Sequence, residues 1–105
     1  MRAASSHTRS ADSEAKLFAA EQVVRGAARL ADAGAATAAT AAMCKSFATE
    51  SALRVCEDAS RVLASYGYST EYPVERHLRD VRFTLIGGGT PDILKLTIAK
   101  EISCG

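Results

Sequence analysis

The sequence predicts an all-α fold, a partial up-and-down helical bundle, and three observations lead there. Apolar residues recur at helical spacing in four successive segments. Twenty of the twenty-one alanines precede Ser65, and alanine is the strongest helix former. No stretch alternates polar and apolar residues as a strand would, and no internal repeat or low-complexity linker breaks the pattern. With 105 residues the chain holds one domain's worth of sequence.

The first helix is expected over residues 13–32. Leu17, Ala20, Val24, Ala27, Ala28 and Ala31 recur on one side; Glu21, Gln22, Arg25, Arg29 and Asp32 fill the other. Asp12 or Ser13 can cap its start, Glu21 and Arg25 can pair one turn apart, and Gly34 suits its end. Residues 1–12 are read as a disordered tail. The first eleven are rich in Ser, Ala and Arg and lack acids, a transit-peptide composition in a stretch short for one.

The second helix is expected over residues 37–63. Met43 and Phe47 begin its apolar face, which continues through Ala52, Val55, Cys56, Ala59, Val62 and Leu63, opposite Glu50, Arg54, Glu57, Asp58 and Arg61. Faces built of alanine let helices approach closely but hold little apolar area, so this pair needs other surfaces for stability. A turn-rich stretch over residues 65–72 follows. Pro73 then opens a short helix with Val74, Leu78 and Val81 on one side. Its charges can pair as Glu75–Arg79 and Arg76–Asp80, either on a solvated face or in a buried network at a subunit or domain contact. The apolar run Phe83 to Ile86 stops at Gly87, Gly88 and Gly89. Thr90 caps the last helix, with Pro91 at its first position, Asp92 in its first turn, and apolar surface from Ile93, Leu94, Leu96, Ile98 and Ile102.

Composition excludes several functions. A net charge of +1 leaves no electrostatic footprint for nucleic acid or an anionic membrane surface. No apolar run approaches the ~18 residues of a membrane span. Cys44, Cys56 and Cys104 are odd in number and widely spaced, which argues against a disulfide framework and for a reducing, cytoplasmic compartment, or the mitochondrial matrix if the N-terminal stretch is a transit peptide. His7 and His77 stand alone, so no metal site is expected. No nucleophilic triad is visible. The carboxylates have Arg or Lys nearby in sequence, which favours ion pairs over an acid–base pair. The triple glycine before a capped helix stands out. It is either a structural turn or a loop whose backbone approaches an anionic ligand; it lacks the spacing of a dinucleotide fingerprint.

Residues 41–102 resemble the last part of acyl-CoA dehydrogenases. The resemblance rests on three strings in the family's order: AAMCKSFATESALRV, YGYSTEYPVERHLRDVRF and IGGGTPDILKLTIAKEI. They match an alanine-rich helix with a lysine near its start, a glycine-tyrosine turn, Tyr-Pro-Val-Glu-Arg with Arg-Asp beyond it, and a Gly-Thr loop opening the final helix. Residues 27–34 fit the preceding family helix more loosely.

The resemblance implies an FAD enzyme that removes two hydrogens between the α and β carbons of an acyl-CoA or other acyl thioester, a glutamate taking the α proton. In many members that glutamate occupies the place of Gly88, which has no side chain, so no catalytic residue is assigned here. Implied flavin contacts fall on Arg61, Val62, Leu63, Ala64, Ser65 and Gly67, and on Thr90 and Asp92; Gly89 matches a position near the thioester. Arg61 stands where the family often has glutamine, and Ala64-Ser65 where it has two glycines; Pro91 lacks the N–H another residue would offer. Three readings follow: a piece of such an enzyme that is inert alone, a subunit that completes a flavin site in a homo- or hetero-oligomer, and a helical interaction module without the chemistry.

Overall fold

The computed structural model describes the backbone of residues 2–104 and the side chains of residues 7–103. Those residues form five helices and no strand: α1 (Arg2–Asp32), α2 (Ala38–Leu63), α3 (Ser65–Tyr68), α4 (Pro73–Phe83) and α5 (Pro91–Cys104). The fold is all-α, as the periodicity predicts.

Helix α1 is longer than expected. Residues 2–12, read above as a disordered tail, continue the helix. Ala and Ser dominate that segment and no Gly or Pro interrupts the chain before Gly26, so nothing local stops helix propagation. A tertiary tie acts there too: the Arg9 guanidinium lies 3.6 Å from the Asp58 carboxylate of α2. The Glu21–Arg25 pair forms at 2.7 Å. The helix ends at Gly34, whose φ of 71° suits glycine. The Gly34 N–H donates to Ala31 O and the Ala35 N–H to Leu30 O, which is a Schellman closure.

Thr37 caps α2, its Oγ1 accepting from the Thr40 N–H at 3.1 Å. It also donates to Glu101 Oε2 at 3.0 Å, tying the start of α2 to the end of α5. Lys45 of α2 meets the loop before α5. Helix α5 therefore runs antiparallel to the first part of α2. Pro73 opens α4 as expected. Within α4, Glu75 and Arg79 pair at 3.4 Å on an exposed face, whereas among the described residues Arg76 and Asp80 form no ion pair.

Helix α2 is the hub. It touches α1, α3, α4 and α5, while α1 touches none of the last three. The side of α1 turned to α2 carries Ser13, Lys16, Ala20, Val23 and Ala27. Leu17 and Val24, expected inside, are each 46% exposed, and Phe18 is 67% exposed. Both sides of α1 carry apolar residues, and small ones permit the close approach to α2, so packing rather than periodicity chose the face.

The interior is small. Ala39 and Ala42 are the buried apolar residues among those described, with Ser51 beside them in the burial order. The radius of gyration is 16.2 Å, against about 13 Å for a compact chain of this length. The accessible surface is 7435 Å², and about 5,600 Å² is expected for a compact monomer of this mass.

Candidate functional site

The two flavin-contact stretches implied by the resemblance lie at the end of α2 and the start of α5. The fold brings one residue of each, Arg61 and Pro91, to a common cleft of about 560 Å³, walled also by Lys16 of α1, Leu53, Arg54 and Glu57 of α2, and Leu85 before the glycine loop; Thr90 and Asp92 do not line it. Among the described residues, Lys16, Arg54 and Arg61 are in no ion pair. Glu50, Glu57 and Asp58 supply negative charge to the same walls, so the cleft is mixed in charge rather than basic.

The other residues of the first stretch go elsewhere, because successive helical positions turn by about 100°. Val62 and Leu63 face a separate hollow against Arg9, Ser10 and Ser13. Ser65 is exposed at the start of α3. Gly67 is buried against α2: a Cβ there would lie 2.3 Å from the Ser60 carbonyl oxygen. That approach alone requires glycine.

Ala64 connects the two helices with φ 53° and ψ −123°. Glycine dominates this conformation, which belongs to the first central position of a type II′ turn. The backbone thus keeps a glycine-like shape where the resemblance implies glycine, although the residue is alanine. The Ala64 N–H donates to Arg61 O and the Gly67 N–H to Ala64 O, which pins the turn at both ends.

In the second stretch, Thr90 caps α5. Its Oγ1 accepts weakly from the Ile93 N–H at 3.4 Å, and its carbonyl accepts from the Leu94 N–H at 3.0 Å. Asp92 is exposed in the first turn. Gly88 and Gly89 take φ of 77° and 124°, positions that side chains rarely tolerate. Gly88 is exposed and offers no proton-accepting group.

One residue of this region went unrecognised in the sequence. The Lys45 Nζ donates to the Gly87 carbonyl and, at 2.8 Å, to the Gly89 carbonyl. It lies 3.2 Å from where a Cβ on Gly88 would sit. Lys45 belongs to the first matched string, but a lone lysine on a helix does not announce a partner more than forty residues away. Lys16 and Arg54 were likewise legible only as members of helix faces.

Cys44 and Cys56 are free thiols, and burial pushes the Cys56 thiol up from its ordinary pKa. Among the described residues no group of three or more His, Cys, Asp or Glu converges to hold a metal, and no helix is long and apolar enough to cross a membrane.

Comparison with known proteins agrees with the all-α fold. The profile of the family "Acyl-CoA dehydrogenase, C-terminal domain" matches residues 2–103. The chain is 61% identical over 93 residues to the benzylmalonyl-CoA dehydrogenase of Aromatoleum aromaticum, covering 89% of this chain and 25% of that one. It is 42% identical over 92 residues to the cyclohexane-1-carbonyl-CoA dehydrogenase of Geobacter metallireducens, covering 88% and 24%. A chain in a structural study of the electron transferring flavoprotein of Acidaminococcus fermentans and flavin-based electron bifurcation superposes with a TM-score of 0.87. It is 33% identical, and the match covers 91% of this chain and 25% of that one. This chain therefore spans about a quarter of the length of the relatives it matches.

Proposed function

Because this chain belongs to the acyl-CoA dehydrogenase family, as its C-terminal helical domain, we propose that it forms one wall of an FAD site for α,β-dehydrogenation of an acyl thioester. The observation that carries the proposal is the cleft in which Arg61 at the end of α2 meets Pro91 at the start of α5. These residues come from the two stretches matched to flavin contacts.

The cleft fits part of the cofactor. The unpaired guanidinium groups of Arg54 and Arg61 are suited to bidentate contact with phosphate oxygens. The Ala64 turn keeps the glycine-like backbone at the end of α2. Bound FAD supplies the hydride acceptor. The chain's own residues would position: Arg61 and Arg54 hold the charged part, and the glycine loop borders the thioester at Gly89. With Gly88 bare, the proton acceptor must come from outside residues 87–89. One open wall does not enclose a flavin, so the 105-residue chain by itself is read as inert. It works within a homo- or hetero-oligomer or beside further domains, in a reducing compartment.

The test has two parts. The purified 105-residue chain is mixed with FAD and its absorbance recorded after removal of free cofactor; no flavin band is expected. The chain is then produced together with the products of its neighbouring genes, and flavin content and bleaching by acyl-CoA substrates are measured. Benzylmalonyl-CoA is the first substrate to try, given the 61% identity. A bound flavin bleached by an acyl-CoA supports the proposal. A stable assembly without flavin favours a non-catalytic interaction module, for which the exposed apolar side of α1 at Leu17, Phe18 and Val24 is the supporting feature.

A further inference from the structure

We propose that Lys45 is the positioning residue of the glycine loop, acting on the acyl thioester through the backbone it holds and not by touching the substrate. This rests on the reading above that Gly89 borders the thioester.

The chain has no regular structure to fix residues 84–90. Helix α4 ends at Phe83 and α5 begins at Pro91, and α4 and α5 do not touch. Phe83 and Ile86 are about 70% exposed; the Phe83 ring borders Gly87 and the Leu94 side chain borders Gly89, but neither contact reaches Gly88. Three consecutive glycines add conformational freedom that must be removed for a single loop shape. The turn's own backbone bonds, from the Ile86 and Gly87 N–H groups to Phe83 O, stop before Gly88.

The tie that fixes the far side comes from α2. The Lys45 ammonium is half-buried and binds the carbonyls on both sides of Gly88 at once. Charge-assisted bonds of this kind are about twice as strong as neutral ones. Gripping both neighbours imposes the φ of 77° at Gly88 and 124° at Gly89. It also occupies two carbonyl oxygens, while among the described residues the N–H groups of Gly88, Gly89 and Thr90 have no acceptor. The loop is thereby left as a net donor along its backbone. A thioester carbonyl is an acceptor, so a loop fixed in this shape suits it and a loop free to turn its carbonyls outward does not.

The experiment uses Lys45→Met and Lys45→Arg in the full chain and in the flavoprotein assembly that contains it. The first readout is amide hydrogen exchange in the full chain. The reporters are the Ile86 and Gly87 amides, bonded to Phe83 O, and the Ile93 and Leu94 amides, bonded to Thr90. Lys45→Met should speed their exchange by about tenfold or more, as loss of a charge-assisted tie predicts. Amides of α1 near Ala27 should be unchanged, and Lys45→Arg should restore most of the protection. Unchanged loop exchange, or an equal rise across α1, overturns the proposal.

The second readout is the acyl-CoA dissociation constant of the assembly, measured by flavin spectral change beside its flavin content. Lys45→Met should weaken acyl-CoA binding at least about tenfold with flavin content unchanged. A loosened loop with unaltered acyl-CoA affinity also overturns the positioning role. If the unmutated assembly takes up no flavin, the reading of the previous subsection fails; the exchange measurement still decides whether Lys45 holds the loop.

Discussion

Replacing Ala64 by glycine should stabilise the protein, although Ala→Gly usually does the reverse. Ala64 holds φ 53° and ψ −123° between α2 and α3. A non-glycine residue in such a region carries strain on the order of 1–3 kcal/mol. It cannot relax freely, because the Ala64 N–H bonds to Arg61 O at 3.2 Å and Gly67 bonds back to Ala64 O at 3.0 Å. The Ala64 methyl is on an exposed residue, so its removal forfeits little burial. Glycine also gives the unfolded chain more freedom, which opposes the gain by about 0.4–1 kcal/mol. The net expectation is about 1 kcal/mol of stabilisation, or a rise of about 4–8 °C in melting midpoint for a domain of this size. Thermal unfolding by circular dichroism at fixed protein concentration measures it. Ala28→Gly, at an exposed site within α1, serves as control and should cost about 1 kcal/mol. If Ala64→Gly lowers the midpoint as the control does, the Ala64 turn is not strained and the reasoning is wrong.

Gly67→Ala should act in the opposite direction. The added Cβ meets the Ser60 carbonyl oxygen at 2.3 Å, so a loss of about 2 kcal/mol or more is expected in urea unfolding. Cys56 gives a pH prediction. Burial raises its folded pKa above the usual 9.0, so the folded chain binds the proton more tightly than the unfolded one. Any contribution to stability is present below pH 9 and declines as pH rises through the folded value; alkylation of Cys56 should lag behind a model thiol until that range, as mass spectrometry of iodoacetamide-treated protein would show. The isolated chain should also self-associate. Its surface exceeds the compact-monomer value by about 1,800 Å², and each partner of a large obligate interface buries about 1,000–2,500 Å². Light scattering behind a sizing column should give a mass above 11.0 kDa; a single peak at the chain mass with a cooperative melt would count against the idea.

Local rules determined α2, α4 and α5, whereas the short helix α3 (Ser65–Tyr68) lies in a stretch read as turns. Thr37, Pro73, Thr90 and Pro91 mark helix starts because a side-chain acceptor or a missing N–H matches the needs of a first turn. Gly34 marks the end of α1 because the closure there needs a positive φ. The matched strings at residues 41–55, 66–83 and 86–102 also carried the family. The start of α1 was less legible: a short Ser- and Ala-rich segment near a terminus is marginal alone, and its contact with Asp58 is not a property of nearby sequence. Tertiary structure decided the rest. The apolar face of α1 was misplaced because alanine, glycine and larger apolar residues lie all around that helix, so the fit to α2 selects the buried side. The expected flavin stretch divided among three surfaces because helix rotation separates Arg61 from Val62 and Leu63, while Gly67 is drawn into the α2 backbone. Lys45 acquired its place over Gly87 and Gly89 only when α5 folded antiparallel to α2, since a flexible ammonium finds its acceptors by proximity in space.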